Sequence, residues 1–217
     1  MDGYPLLEVK VWGEYACFTR PEMKVERVSY PVITPSAARG VLEAIFWKPE
    51  FRWRVHELIV LNEISYFSIL RNEVNSRASE RAARARVTTG GGYFAEEDRA
   101  QRHTLGLRNV AYIVRADLEV RTHAQENPAK YRDQFRRRVA RGQCFQQPYL
   151  GCREFVAYFG PVEPADRPID RSEDLGRMLF DLHYQPAAQG CGEPRFFEAH
   201  LERGVLRVPP ELYAMGM

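Results

Sequence analysis

Residues 34–49, TPSAARGVLEAIFWKP, hold the pattern from which the rest of the chain can be read outward. Thr34 is a good helix N-cap residue, and Pro35 suits the first helical position, where no N–H is needed. Ala38, Val41, Leu42, Ile45 and Phe46 then recur at three- and four-residue intervals, the apolar stripe of an amphipathic helix. Pro49 disfavours helical geometry at Lys48, so the pattern predicts a helix ending there. On this pattern Phe46 and Trp47 are both core residues. Upstream, residues 6–12 (LLEVKVW) alternate apolar and polar, the signature of a half-buried strand. Downstream, residues 52–64 and 66–72 are strand-like, as are residues 107–120. Residues 128–141 (PAKYRDQFRRRVAR) predict a basic helix with Tyr131, Phe135 and Val139 as its buried stripe. Residues 149–159 (YLGCREFVAYF) read as a strand opened by a glycine.

The resulting order is strand, helix, strand, strand, helix, strand. That is the split βαβ or ferredoxin-like arrangement, an α+β fold with two helices on one face of an antiparallel sheet. RNA-recognition modules use the opposite, open face of such a sheet. Residues 161–170 (PVEPADRPID) read as an acidic, Pro-rich linker, and residues 177–184, 195–201 and 205–208 as a small antiparallel sheet. Two units are therefore expected, residues 1–160 and residues 161–217. The polar stretch 73–104, with Gly90-Gly91-Gly92, is expected to be an Arg-rich mobile loop or hairpin excursion inserted in the first unit.

At 217 residues, with 45% hydrophobic and 28% charged side chains, the composition is that of a globular protein. No apolar run approaches the ~20 residues needed to span a bilayer, and the first residues lack a secretory pattern. A cytoplasmic protein with no membrane partner is expected. Cys17, Cys144, Cys152 and Cys191 show no CxxC spacing, which fits neither a zinc site nor a disulfide framework. No metal or cofactor is expected. The net charge of +2 is unevenly placed: residues 71–141 carry 15 Arg and one Lys against 9 acids, whereas residues 161–217 carry 6 Arg against 10 acids. Arg outnumbers Lys 27 to 4, and guanidinium groups fork onto phosphates and stack on bases.

Arg77, Arg81, Arg84 and Arg86 recur at near-helical spacing and are candidate phosphate contacts. Arg137, Arg138 and Arg141, on the later helix, form a second candidate cluster. Gly90-Gly91-Gly92 lacks the Lys-Ser/Thr that follows in a P-loop and reads as a flexible turn. His56 reads as a packing or surface residue. His103, His183 and His200 lie too far apart in sequence to suggest a metal site.

Residues 13–49 (GEYACFTRPEMKVERVSYPVITPSAARGVLEAIFWKP) carry a longer match. They resemble the N-terminal signature of the type I-C (Dvulg) CRISPR-associated family, the subtype-d branch of the fifth Cas family in the RAMP superfamily. Its pattern runs G-[DE]-Y-A-x-F-T-x-P through S-Y-x-V-x-T to a helix ending in [YF]-W-K-P. Residues 149–159 resemble the family's glycine-opened strand, and residues 118–127 match more weakly where the family places a basic residue and a histidine. The resemblance implies an N-terminal ferredoxin-like domain with a small C-terminal sheet. It implies a metal-independent endoribonuclease that cuts the hairpin repeats of precursor CRISPR RNA and stays on the 5′ handle in the interference complex. Implied partners are that RNA and the backbone and large subunits; double-stranded DNA is a further ligand that the Arg-rich stretch would suit.

The family's site is described as the tyrosine of the Y-W-K-P motif with a lysine–histidine pair. Here Phe46 stands at the tyrosine position, and the pair reads Thr122-His123. His123 carries over as the candidate proton-transfer residue. Arg121, two residues earlier on an apparent strand, is expected on the same face as a cation, and Lys48 is a second cation candidate. The departures leave open a non-catalytic RNA-binding scaffold in the same complex, or a general double-stranded nucleic-acid binder.

Overall fold

The computed structural model describes residues 4–76, 79–90, 92, 94–124, 126–184 and 192–214. In chain order its elements are β1 (Leu7–Ala16), β2 (Arg27–Val28), α1 (Pro35–Ile45), β3 (Phe51–Val60), β4 (Tyr66–Val74), α2 (Glu80–Thr89), β5 (Arg99–Val120), α3 (Pro128–Arg141), β6 (Tyr158–Gly160), β7 (Glu173–Tyr184), β8 (Gly192–Glu202) and β9 (Val205–Arg207). The sheet runs β6–β1–β5–β3–β9–β8–β7, with β2 and β4 also paired to β5. Its first four strands, with α1 and α3, make the ferredoxin-like arrangement that the element order predicts.

The alternation in β1 is literal: Leu7, Val9 and Val11 are buried, while Glu8 and Trp12 are exposed. Helix α1 starts as expected, with the Thr34 hydroxyl accepting the Ala37 N–H at 3.2 Å. Ala38, Val41, Leu42 and Ile45 bury its stripe. The helix ends at Ile45, however, three residues before the proline-based expectation. Phe46 is extended (φ −154°, ψ 116°), and its carbonyl accepts the Trp53 indole N–H at 2.9 Å instead of continuing the helical ladder. Extended backbone sends successive side chains to opposite sides. Phe46 therefore enters the core, and Trp47, expected beside it, points outward at 54% exposure. Arg138 of α3 completes this helix end: its guanidinium donates to the Ile45 carbonyl at 2.6 Å and lies 5.1 Å from the centre of the Phe46 ring. That satisfies a terminal carbonyl which would otherwise have no partner.

Strand β5 is the spine of the sheet. Along one edge it pairs with β1, from Leu7↔Ala116 to Ala16↔Leu107. Along the other it pairs with β3 toward its C-terminal end and with β4 toward its N-terminal end. The stretch 73–104 is thus a hairpin excursion rather than a loop: β4 and β5 stay paired to Val74↔Arg99, and α2 lies between them in sequence. Ser79 caps α2, which buries no residue.

The expected strand over residues 149–159 is largely absent. Tyr149 and Val156 make one isolated bridge, and only β6 is regular. Gly151 is the reason. It adopts φ +84°, and a Cβ there would sit 2.0 Å from the Cys17 carbonyl oxygen, so this glycine forms a tight turn against β1 rather than opening a strand. The neighbouring Leu150 carbonyl accepts the Cys17 N–H at 3.0 Å. Beyond residue 170, β7, β8 and β9 are antiparallel, and β9 pairs with the edge of β3, so the C-terminal strands prolong the same sheet. Asp181 of β7 accepts a 2.7 Å hydrogen bond from Arg39, fastening the hairpin to α1.

Two stability outcomes are expected from this packing. Gly151→Ala should lower unfolding free energy in urea by at least ~2 kcal/mol, combining the ~1–2 kcal/mol cost of a left-handed residue with displacement of the Cys17 carbonyl. Gly142→Ala, at φ +62° with nothing within 4 Å, should cost no more than ~1–2 kcal/mol. Arg138→Ala should cost about 1–2 kcal/mol, because it removes both the hydrogen bond to Ile45 and the cation from the Phe46 ring. Exposed Arg137→Ala should stay within about 0.5 kcal/mol of the parent.

Candidate active site

A cleft of about 740 Å³ opens where the C-terminal end of α1, the paired ends of β3 and β5, and the β7–β8 hairpin meet. Trp47, Arg121, His123, His183 and Tyr184 are among its lining residues. The sequence-predicted pair reaches it by a different route from the one expected. Strand β5 stops at Val120, so Arg121 and His123 lie in the turn that follows, not on a strand. The Arg121 N–H donates to the Glu50 carbonyl at 2.8 Å, and the Ala124 N–H donates to the Arg121 carbonyl at 3.0 Å. Two backbone hydrogen bonds thus set the turn, and both predicted side chains still face the cleft.

The carboxylates around this space are already neutralised. Glu119 lies between Arg52 and Arg54, with 2.7 Å to the Arg54 guanidinium. Burial pushes its carboxyl up, but the two guanidiniums outweigh that and hold it below the usual range. Arg39 bridges Asp181 at 2.7 Å and Glu43 at 2.8 Å, and although burial opposes its charge, these partners keep it protonated. Among the described residues Arg121 makes no ion pair. The cleft therefore offers an uncompensated guanidinium beside an exposed imidazole, a positive site suited to an anion.

The remaining predicted residues are distributed more widely. Lys48 is not among the cleft residues; its ammonium lies 5.8 Å from the Tyr131 ring on the α3 side and also holds the Glu126 carboxyl down, after the larger effect of Lys130. Arg81, Arg84 and Arg86 are all exposed on α2. Arg81 and Arg84 share a face at helical pitch, Arg86 lies on the far side, and Arg84 pairs with Glu80 at 2.5 Å. Arg77 lies outside the described residues. Arg137 and Arg141 sit one turn apart on the exposed face of α3, whereas Arg138 is engaged with α1. His56 is half-buried on β3, where burial disfavours its charged form.

The open face of the sheet, which RNA-recognition modules expose, is here laced with ion pairs. Arg115 contacts Glu8 at 2.7 Å and Glu57 at 3.0 Å, and Lys10 contacts Asp166 at 2.5 Å. Cations held in this way are less available to phosphate than Arg121. Trp47 and His183 escaped sequence reasoning. Trp47 carried a core pattern, and His183 stands on a different element far along the chain from His123, so no local spacing joins them.

A family model described as "CRISPR-associated protein (Cas_Cas5)", of the Cas5d type, matches residues 6–209. A Thermus thermophilus protein named "CRISPR pre-crRNA endoribonuclease Cas5d" is 48% identical over 222 residues, covering 95% of this chain and 93% of its own. A Mannheimia succiniciproducens protein of the same name is 44% identical over 218 residues, covering 94% and 95%. Among solved structures, a CRISPR-associated protein superposes with a TM-score of 0.67 at 20% identity, over 97% of this chain and 96% of that one. A functionally uncharacterized Streptococcus mutans protein superposes at 0.66 and 19% identity, over 95% and 93%. The two structural likenesses speak to the fold, and the family match with the two sequence relatives gives the classification: the chain belongs to the Cas5d family of CRISPR-associated proteins.

Proposed function

We propose that this chain is a pre-crRNA endoribonuclease that cuts within the repeat hairpin by metal-independent transesterification. The observation that carries the reading is the cleft in which one turn holds both His123 and Arg121, whose guanidinium makes no ion pair among the described residues. In this reaction the 2′-hydroxyl of the substrate attacks the adjacent phosphorus, and the bond to the 5′-oxygen of the next nucleotide breaks. A cyclic phosphate and a 5′-hydroxyl result. His123 transfers a proton, and Arg121 stabilises the charge that accumulates on the phosphorane. Arginine stays protonated near neutral pH and supplies charge rather than a proton. Lys48 supports the neighbouring backbone from the α3 side. Exposed Trp47, at the rim, offers a ring on which a base can stack.

On this reading Arg77, Arg81, Arg84 and Arg86 of the β4–β5 excursion, with Arg137 and Arg141 of α3, hold the RNA backbone. The protein then keeps the 5′ handle, within an interference complex containing the backbone and large subunits, as a cytoplasmic protein. Residues 1–160 supply Arg121 and His123, and residues 161–217, a second unit in sequence, supply the β7–β8 side of the cleft. Double-stranded DNA, whose phosphates the same arginines would meet, is a further ligand. One observation favours a second reading, an RNA-binding scaffold that does not cut. Phe46, at the position where the family's tyrosine is expected, is 1% exposed in the core and has no hydroxyl.

Cleavage of a labelled cognate repeat in EDTA separates the two readings. Wild type should cut the ribonucleotide and leave a substrate with a single 2′-deoxy scissile position whole. His123→Ala should lower the single-turnover rate by ~10²–10⁴-fold, and an equal rate for this variant would remove His123 from the chemistry. The arginine assignment has its own readout. Replacing Arg77, Arg81, Arg84 and Arg86 with Ala should reduce the slope of log affinity against log salt by about 0.7–0.9 for each phosphate that is no longer neutralised. An unchanged slope would place the RNA elsewhere.

A further inference from the structure

We propose that His183 is the second proton-transfer residue of the cleft, acting with His123 on the same phosphodiester; this rests on the endoribonuclease reading above. Transesterification needs one group to remove the 2′-hydroxyl proton and another to deliver a proton to the departing 5′-oxygen. The nucleophile and the leaving group stand on opposite sides of the phosphorus. A single imidazole on one wall therefore leaves one of the two transfers without a partner.

His183 supplies that partner from the other wall. His123 enters the cleft from the turn after β5, and His183 enters from β7. On β7 the side chains of Asp181 and His183 fall two residues apart, on the same face. Asp181 is tied to Arg39 of α1 at 2.7 Å, which aims that face at the cleft. The same bond anchors β7 to the helix that precedes Trp47, so the hairpin and the α1 side of the cleft are held together.

Glu193, the cross-strand partner of His183 in the β7–β8 ladder, is not among the cleft residues, and the carboxylates that line the cleft are engaged by guanidiniums. Glu43 and Asp181 are bound by Arg39, and Glu119 by Arg52 and Arg54. Arg195, on β8, donates to the Leu212 carbonyl at 3.1 Å, and arginine as a residue type supplies fixed charge rather than a transferable proton. The Tyr213 hydroxyl is pushed up to about 12 by burial and donates to the Val55 carbonyl at 3.0 Å. The Tyr184 phenol at the rim, 57% exposed, belongs to a residue type that is a weak acid near neutral pH. Two imidazoles remain, one on each wall, and imidazole is the side chain that exchanges protons in the neutral range. One takes the proton from the 2′-hydroxyl and the other returns one to the 5′-oxygen, so no net proton or co-reactant is required.

The test compares wild type, His123→Ala, His183→Ala and Tyr184→Phe in single-turnover cleavage of the cognate repeat, with RNA affinity and thermal unfolding measured alongside. His183→Ala should cut ~10²–10⁴-fold more slowly with unchanged affinity and melting temperature, and Tyr184→Phe should match wild type. The bell-shaped pH–rate profile of wild type should lose one limb in His123→Ala and the opposite limb in His183→Ala. A substrate with sulfur in place of the bridging 5′-oxygen leaves without protonation, so it should restore cleavage to only one of the two histidine variants. A His183→Ala rate within twofold of wild type, the loss of the same limb in both variants, or restoration of neither or of both would overturn the pairing. If wild type cuts and only the His183 results fail, the endoribonuclease reading stands; if wild type leaves the repeat whole, both fall.

Discussion

The backbone ladder of β5 is the constraint on which the rest of the molecule depends. A single strand of 22 residues satisfies β1 on one edge and both β3 and β4 on the other. Its C-terminal half holds the strands that α1 and α3 cover, and its N-terminal half carries the hairpin excursion. Because the strand is continuous, register set in the core extends along its length. The turn at residues 121–124 is the point where β5 leaves the sheet, so the position of Arg121 and His123 is fixed by the same ladder.

A second interaction, between Arg39 and Asp181, converts this platform into a cleft. Besides this pair, the β7–β8 hairpin is held through β9 at the edge of β3, by the Leu179 N–H donating to the Tyr30 hydroxyl at 3.2 Å, and by Met178 and Phe180 in the core. The pair is part-buried, so losing one partner leaves a charge in a space of reduced solvation, and the helix and the hairpin are expected to stay together. The same pairing, with Glu119 held by Arg52 and Arg54, removes free negative charge from the space between them. A positive cleft arises from neutralising its acids as much as from adding bases.

Most elements were legible because they are local in origin. The N-cap at Thr34, the stripe of α1, the full length of α3 and the alternation of β1 need only neighbours within a few residues. The misreadings mark where a distant partner took over. Pro49 promised a helix to Lys48, but the Trp53 indole claimed the Phe46 carbonyl and ended it early. Residues 149–159 read as a strand, but the close approach of Gly151 to Cys17 made them a turn.

The sequence by itself determined the α+β class, the order of the elements and the candidacy of His123, since periodicity, caps and a short motif are all encoded within a few residues. Tertiary structure decided which charges are paired: Arg138 serves α1, Arg115 and Lys10 serve the sheet, and Arg121 makes no ion pair among the described residues. It also placed His183, on β7, in the lining of the same cleft as His123. Ion pairing and cleft formation depend on distances in space between residues far apart in the chain, and sequence spacing carries no record of those distances.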